Sequence, residues 1–125
     1  MATQSNADKA TDFLAMCTAG QVRQAYDTYV ADDFRHHNAY FPEDRESLLR
    51  GMEESARVEP DKSFTAKQVV ESGDRVAVLS HVRRGNVGID IAVVHILRFE
   101  NGRIVEMWDI GQQIPADSPN RLGMF

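Results

Sequence analysis

The dipeptide Asn101-Gly102 constrains the fold of this chain more than any other feature, because it separates two long apolar runs, residues 89–100 and 103–114. Both central residues of a type I′ turn need a positive φ, which asparagine and glycine adopt most readily. The sequence therefore predicts a β-hairpin with a two-residue turn, in which Glu100 faces Arg103.

The predicted hairpin assigns a face to each residue of its two strands. Uninterrupted pairing from the turn sets Phe99 against Ile104, Ile96 against Met107, His95 against Trp108 and Val94 against Asp109. Opposed residues share a face, and faces alternate along each strand. One face is then predicted to carry Ala92, Val94, Ile96, Met107 and Asp109. The other is predicted to carry Val93, His95, Leu97, Phe99, Ile104, Trp108 and Ile110.

Asp109 is the first candidate for a functional residue, because it is a carboxylate on a mainly apolar face. Such a group costs free energy unless it is paired, hydrogen-bonded or hydrated. One interpretation is a structural carboxylate near a strand end, wetted or salt-bridged. The other is a general base or acid at the end of an apolar cavity, where burial would raise its pKa toward the working pH.

Length, composition and charge bound the class of protein. The chain has 125 residues, of which 42% are hydrophobic and 26% are charged, as expected for a single globular domain spanning residues 1–125. Its net charge of −5 argues against a nucleic-acid surface. The single cysteine excludes an internal disulfide, and we find neither a membrane-spanning run nor a signal-peptide pattern. We therefore expect a cytoplasmic protein with no membrane or nucleic-acid partner.

The order of the predicted elements indicates an α+β fold. Apolar spacing predicts helices at residues 7–18, 21–30 and 45–57, and strands at 63–71, 75–83, 89–100 and 103–114. Residues 1–6 are predicted to fray, the irregular segment 33–44 is predicted to be a brief strand or turn, and the final apolar residues are expected to dock. Helices followed by strands predict an antiparallel meander covered on one face by helices. A sheet curled around helices would form a cone with a pocket at its mouth.

Histidines and amides supply the remaining candidates. His81 shares a face with Asp109 if it pairs with Ala92 or Asp90, whereas a shift of one residue turns it away and leaves a core or rim histidine. In an extended segment, one of His36 and His37 points inward, with Asn38 beside them; the alternative is that both histidines are exposed. Gln112 or Gln113 would close the edge of the pocket. His95 is interpreted as a packing or interface residue.

Other chemistries find little support in the sequence. Apart from the adjacent His36-His37, the sequence lacks a local pair of histidines at metal-ligand spacing, so we expect no metal. Cys17 has the apolar spacing of a core residue. The chain has neither a glycine-rich phosphate loop nor a Gly-x-Ser-x-Gly nucleophile elbow.

The run FENGRIVEMWDIGQQIP resembles the final hairpin of SnoaL-like proteins in the NTF2-like superfamily, specifically the predicted aldol-condensation and polyketide cyclase group. The likeness extends from Phe13 to Phe125 and includes His37-Asn38, Glu71-Ser-Gly-Asp74 and His81. Met107 stands where this group usually has histidine, and His95 where it usually has an acid.

The resemblance implies an NTF2-like cone of three N-terminal helices packed on a strongly curved antiparallel sheet, and a homodimer through that sheet. It implies a cofactor-free pocket with its acid or base at Asp109, assisted by His81. It also implies that His37, Asn38, Gln112 and Met107 lie against the substrate.

Three hypotheses follow. The first is a cofactor-independent cyclase or isomerase that moves a proton next to a carbonyl, with Asp109 as the acid or base, His81 assisting, and His37 and Asn38 bonding the substrate oxygen. The second is a non-catalytic module that binds a small hydrophobic ligand in the same cavity. The third, compatible with both, is a dimer formed through Trp108, Ile110, Leu97 and Val93.

Overall fold

Three helices lie against one face of a five-stranded sheet in the computed structural model, which describes residues 4–125. The elements in order are α1 (Asn6–Thr18), α2 (Val22–Tyr29), β1 (Val30–His37), α3 (Arg45–Val58), β2 (Lys62–Ser72), β3 (Arg75–Arg84), β4 (Ile89–Glu100) and β5 (Arg103–Gln113). The predicted α+β cone is therefore confirmed, and each predicted helix and strand boundary lies close to the observed one.

The helices begin and end where local chemistry favours it. Ser5 caps α1 by accepting a hydrogen bond from the Asp8 amide, and the Asp8 carboxylate accepts one from the Ser5 amide, which completes a capping box. The predicted fraying of residues 1–6 is therefore wrong from Ser5 onward, and residues 1–3 lie outside the described part of the chain. Gly20, at φ 91°, supplies the left-handed residue after α1. Asp44 caps α3 through the Ser47 amide.

The sheet is mixed, with strand order β1-β5-β4-β3-β2. The prediction of a wholly antiparallel sheet is wrong at one edge, because β1 pairs with β5 in parallel and sets His36 beside Met107. A parallel neighbour needs a long crossover, which α3 and the intervening strands provide. The segment predicted as a brief strand or turn is an eight-residue strand that begins directly after α2.

A β-bulge changes the predicted register of the β4–β5 hairpin. The turn itself is as predicted, with Asn101 and Gly102 at φ 52° and 78° and with Phe99 opposite Ile104. The next pair is Arg98 with Glu106, so Val105 is an extra residue on β5. Every later pair is displaced by one residue from the prediction: Leu97 with Met107, Ile96 with Trp108, His95 with Asp109 and Val94 with Ile110.

The corrected register places His95 and Asp109 on the same face, which we call the inner face because it packs on the helices. The inner face and the helices enclose the core, whose largest fully buried side chains include Tyr26, Phe13, Phe34, Leu97 and Met107. Cys17 packs at the edge of this core, where burial raises the pKa of its thiol to about 12. Among the described helices, none combines the length and apolar character needed to span a membrane.

Candidate functional site

A cavity of about 600 Å³ lies at the open end of the cone, between the inner face of the sheet and the loop that follows β1. Its apolar wall comes from β4 and β5, and polar side chains stand at both of its ends. The lining residues are His37, Asn38, Ala39, Tyr40, Arg84, Ile89, Ile91, Val93, Asp109, Ile110, Gly111, Gln112 and Gln113. A volume of this size is ordinary for a small-molecule site.

Asp109 brings a carboxylate into this cavity. Its side chain is 16% exposed, and its Oδ2 accepts a hydrogen bond of 2.8 Å from Asn38 Nδ2. Asn38 directly follows β1, and its Oδ1 accepts a bond from the Tyr40 amide, which fixes the orientation of the side-chain amide. Because a carboxylate has four lone-pair positions, the Asp109 oxygens retain free ones for a ligand.

His95 lies beside Asp109 on the neighbouring strand, with Nε2 3.4 Å from Oδ1. The imidazole is 8% exposed, and its Nδ1 has no hydrogen-bond partner among the described residues. Burial lowers the pKa of His95 below the ordinary 6.5, and the Asp109 carboxylate acts in the opposite direction. His95 is therefore a neutral imidazole at neutral pH and lies next to the Asp109 carboxyl group.

The buried imidazole predicts a loss of stability in acid. Between the lowered folded pKa and 6.5, the unfolded chain binds more protons at His95 than the folded chain does, so the free energy of unfolding falls as the pH falls below 6.5. The His95 contribution to this slope is at most about 1.4 kcal/mol per pH unit. We expect His95→Gln to flatten the fall, measured by urea unfolding at pH 4.5 to 7.5. The exposed-face variant His81→Gln is the control, and an unchanged slope in His95→Gln would contradict the assignment.

His81 and Met107 do not reach the cavity. The predicted pairing of His81 with Ala92 is confirmed, but the bulge puts Asp109 on the opposite face. On the outer face of the sheet, His81 Nε2 lies 2.7 Å from Asp90 Oδ1, and its ring packs against Phe125 with the centroids 5.1 Å apart and the planes tilted by 33°. Met107 is fully buried in the core. The prediction that these two residues share the pocket with Asp109 is wrong.

His37 and Gln112 stand at the rim of the cavity together with Asn38. His37 points to the outer face, where its ring stacks on Trp108 at 4.9 Å and its Nε2 lies 2.8 Å from Glu106 Oε2. As expected for an extended segment, His36 points inward and is buried, with Nε2 2.6 Å from the Pro42 carbonyl oxygen. The next residue, Asn38, donates its hydrogen bond to Asp109, and this contact could not be predicted from the sequence.

Two groups of site residues were missed from the sequence. His95 was assigned to the wrong face because no residue pattern distinguishes Val105 as a bulge residue. Arg84 and Glu59 form an ion pair at the far end of the cavity, and their separation in sequence gives no signal that they meet. Within residues 4–125, no group of three or more histidine, cysteine, aspartate or glutamate side chains is arranged to hold a metal ion.

Comparison with known families identifies the chain. The sequence profile of the SnoaL-like domain matches residues 10–107, which is most of the chain. The chain therefore belongs to the SnoaL-like family. The matched segment ends at Met107, before Asp109, so the match does not cover the cavity carboxylate. A search of curated proteins finds no match.

Solved structures share the fold along nearly the whole chain. An NTF2-like protein from Cytophaga hutchinsonii is 18% identical, with 90% of this chain and 95% of that one covered, at a TM-score of 0.71. IdmH, a candidate polyketide cyclase from Streptomyces antibioticus, is 21% identical, with 86% and 93% covered, at 0.70. A candidate polyketide cyclase from Bacillus cereus is 20% identical, with 84% and 72% covered, at 0.73. At these identities the likeness shows the NTF2-like cone and no activity.

Proposed function

We propose that this SnoaL-like protein is a cofactor-independent enzyme that moves a proton at a carbon next to a carbonyl group, with the Asp109 carboxylate as the base. The observation that carries the proposal is the position of Asp109 in a largely apolar cavity, where it is held by Asn38 and lies beside a buried imidazole. The candidate polyketide cyclases among the structural neighbours support the same class of chemistry.

In the proposed step, an Asp109 oxygen removes a proton from the carbon next to the carbonyl. The C–H electron pair forms the new carbon–carbon double bond, and the carbonyl π pair moves to oxygen, which gives an enolate. The second N–H of the Asn38 side-chain amide, whose first N–H donates to Asp109, would stabilise that oxyanion. The proton moves to Asp109 as the negative charge moves to the enolate oxygen, so the net charge of the site does not change during the step.

The enolate has two outcomes that need no cofactor. Returning the proton to another carbon of the conjugated system isomerises the substrate. Attack of the enolate carbon on a second carbonyl of the same molecule closes a ring, and the protonated Asp109 then delivers its proton to the new alkoxide. In both cases the carboxylate is regenerated, as a catalytic base requires.

The test uses a probe ketone, because the proton-transfer step is visible without the natural substrate. We expect the protein to catalyse deuterium incorporation from D₂O at the α-carbons of 2-tetralone, followed by NMR, at a rate well above that of acetate at equal concentration. Methyl chemical shifts of Ile91 and Val93 report whether the ketone enters the cavity. Entry without exchange would contradict the proposal and leave a module that only binds small hydrophobic molecules.

We also propose that the protein forms a homodimer through the outer face of the sheet. Val93 and Leu97, predicted to contribute to this contact, are instead buried on the inner face. The outer face carries Trp108 and the apolar side chains of Ile110, 68% exposed, and Val94, 37% exposed. An exposed apolar sheet face of this kind favours a partner.

Sedimentation velocity at micromolar concentration tests this dimer. We expect wild type to sediment as a dimer and Ile110→Lys as a folded monomer, because the lysine would place a charge in the apolar contact. Val58→Lys, which changes a valine on α3 that is 57% exposed, is the matched control and should stay dimeric. A wild-type monomer would contradict the proposal.

A further inference from the structure

The end of the cavity away from Asp109 carries the cationic side chain of Arg84. Lys62 is the partner of Arg84 in the β2–β3 register and shares the inner face, but it lines a separate, smaller cavity beside Cys17 and Ser55. Glu59 is the carboxylate beside them: its Oε2 accepts a 2.6 Å hydrogen bond from Arg84 Nε, and its Oε1 accepts a second from Nη2. Among the described residues that line the cavity, Arg84 is the one arginine or lysine.

Donors remain for a ligand at this end. Arg84 Nη1 donates to no described residue, and the Arg84 side chain is 32% exposed. The Lys62 ammonium donates to Ser55 Oγ. Burial lowers the pKa of Lys62, with Glu59 acting against the shift and Arg84 adding to it. Arg84 Nη1 is thus the donor at this end that can reach an anion in the cavity.

The two charged ends are far apart and are joined by an apolar wall. Arg84 of β3 pairs with Ile89 of β4. Asp109 of β5 pairs with His95, which also belongs to β4. These partners are six positions apart on β4, which corresponds to roughly 20 Å of strand. Ile89, Ile91 and Val93 form the cavity wall along this distance. A ligand that touches both ends must therefore be long and largely apolar.

We propose that the cavity selects an elongated carboxylic acid, with its carboxylate on Arg84, its apolar body along Ile89, Ile91 and Val93, and its reactive carbonyl at Asp109. The placement of the carbonyl rests on the proposed proton transfer, whereas the binding of the acid does not. The charges also set the orientation, because the ligand carboxylate is attracted to Arg84 and repelled by Asp109. The planar guanidinium, which already holds Glu59 through two bonds, suits a carboxylate in particular.

The test compares decanoate with decan-1-ol, which have the same chain and different head groups, by calorimetry and by the methyl NMR shifts of Ile89, Ile91 and Val93. We expect decanoate to bind more tightly than decan-1-ol to wild type. Arg84→Met should weaken decanoate binding by about 10- to 100-fold, as expected for loss of a charge-assisted hydrogen bond, and should change decan-1-ol binding less than twofold. Glu59→Gln should tighten decanoate binding.

Matched variants separate charge from folding. Arg83→Met removes the neighbouring arginine, whose side chain lies on the outer face near Asp90, and should leave both affinities unchanged. If Arg84→Met fails to fold with Glu59 unpaired, the double variant Glu59→Gln with Arg84→Met removes both charges and should show the same loss for decanoate. Equal affinities of the acid in wild type and in the folded Arg84 variant, or no shift of the cavity methyls with decanoate, would overturn the proposal.

The result of the decanoate binding test can be distinguished from the result of the ketone exchange test. Asp109→Asn should bind decanoate at least as tightly as wild type, because it removes a negative charge from the cavity. Arg84-dependent binding of the acid in a protein that does not exchange ketone protons would retain this inference and refute the proton transfer. Deuterium exchange that depends on Asp109, in a protein that binds decanoate no better than decan-1-ol, would support the proton transfer and refute this inference.

Discussion

Replacing Asp109 with asparagine should lower the rate of deuterium incorporation into 2-tetralone by about 10²- to 10⁴-fold, the usual range for loss of a general base. Asparagine is nearly isosteric with aspartate and can still contact Asn38, so the fold should persist. Its amide cannot take up a proton at neutral pH. The measurement is the initial exchange rate at equal protein concentration, with circular dichroism and the melting temperature as folding checks.

The control for this prediction is Asp90→Asn. Asp90 pairs with Arg83 on the outer face of the sheet and bonds His81, so its removal should not change the exchange rate. Exchange that survives Asp109→Asn at the wild-type rate, or that is lost equally in Asp90→Asn, would refute the assignment of the base.

The turn of the closing hairpin could be read from the sequence, but the register beyond it could not. Asn101 and Gly102 adopt positive φ values that few other residues tolerate, so the local signal is strong. The bulge at Val105 depends on how β5 bends to follow the curled sheet between β1 and β4, which is a tertiary effect. One extra residue was enough to bring His95, and not Val94, opposite Asp109.

The remaining site contacts depend on long-range topology in the same way. Asn38 reaches Asp109 only because β1 runs parallel to β5 at the edge of the sheet, and Asp32-Asp33 in the strand look like a break in the sequence. Arg84 and Glu59 come together because α3 ends over the last residues of β3. No spacing of residues in the sequence predicts either contact. The sequence therefore singles out Asp109 as a candidate, while the residues around it could be identified only from the fold.

The second large expected effect is the loss of folding stability when Met107 is truncated to alanine. Met107 is fully buried between Leu97 on β4 and His36 on β1, and it does not line the cavity. Met107→Ala should therefore lower the free energy of unfolding by about 2–5 kcal/mol, since it removes a buried side chain and leaves a cavity. This is a large fraction of the roughly 5–15 kcal/mol by which a domain is stable. Urea unfolding measures the change.

The same variant distinguishes a core methionine from a substrate contact. Val70→Ala, at an exposed position on β2, is the control and should change the stability by less than about 0.5 kcal/mol. At temperatures where Met107→Ala remains folded, its affinity for decanoate should equal that of wild type, because the truncated side chain packs in the core between the inner face and the helices and does not line the cavity. A small loss of stability together with a large loss of affinity would instead return Met107 to the ligand site, and would mean that the register after Val105 differs from the one described above.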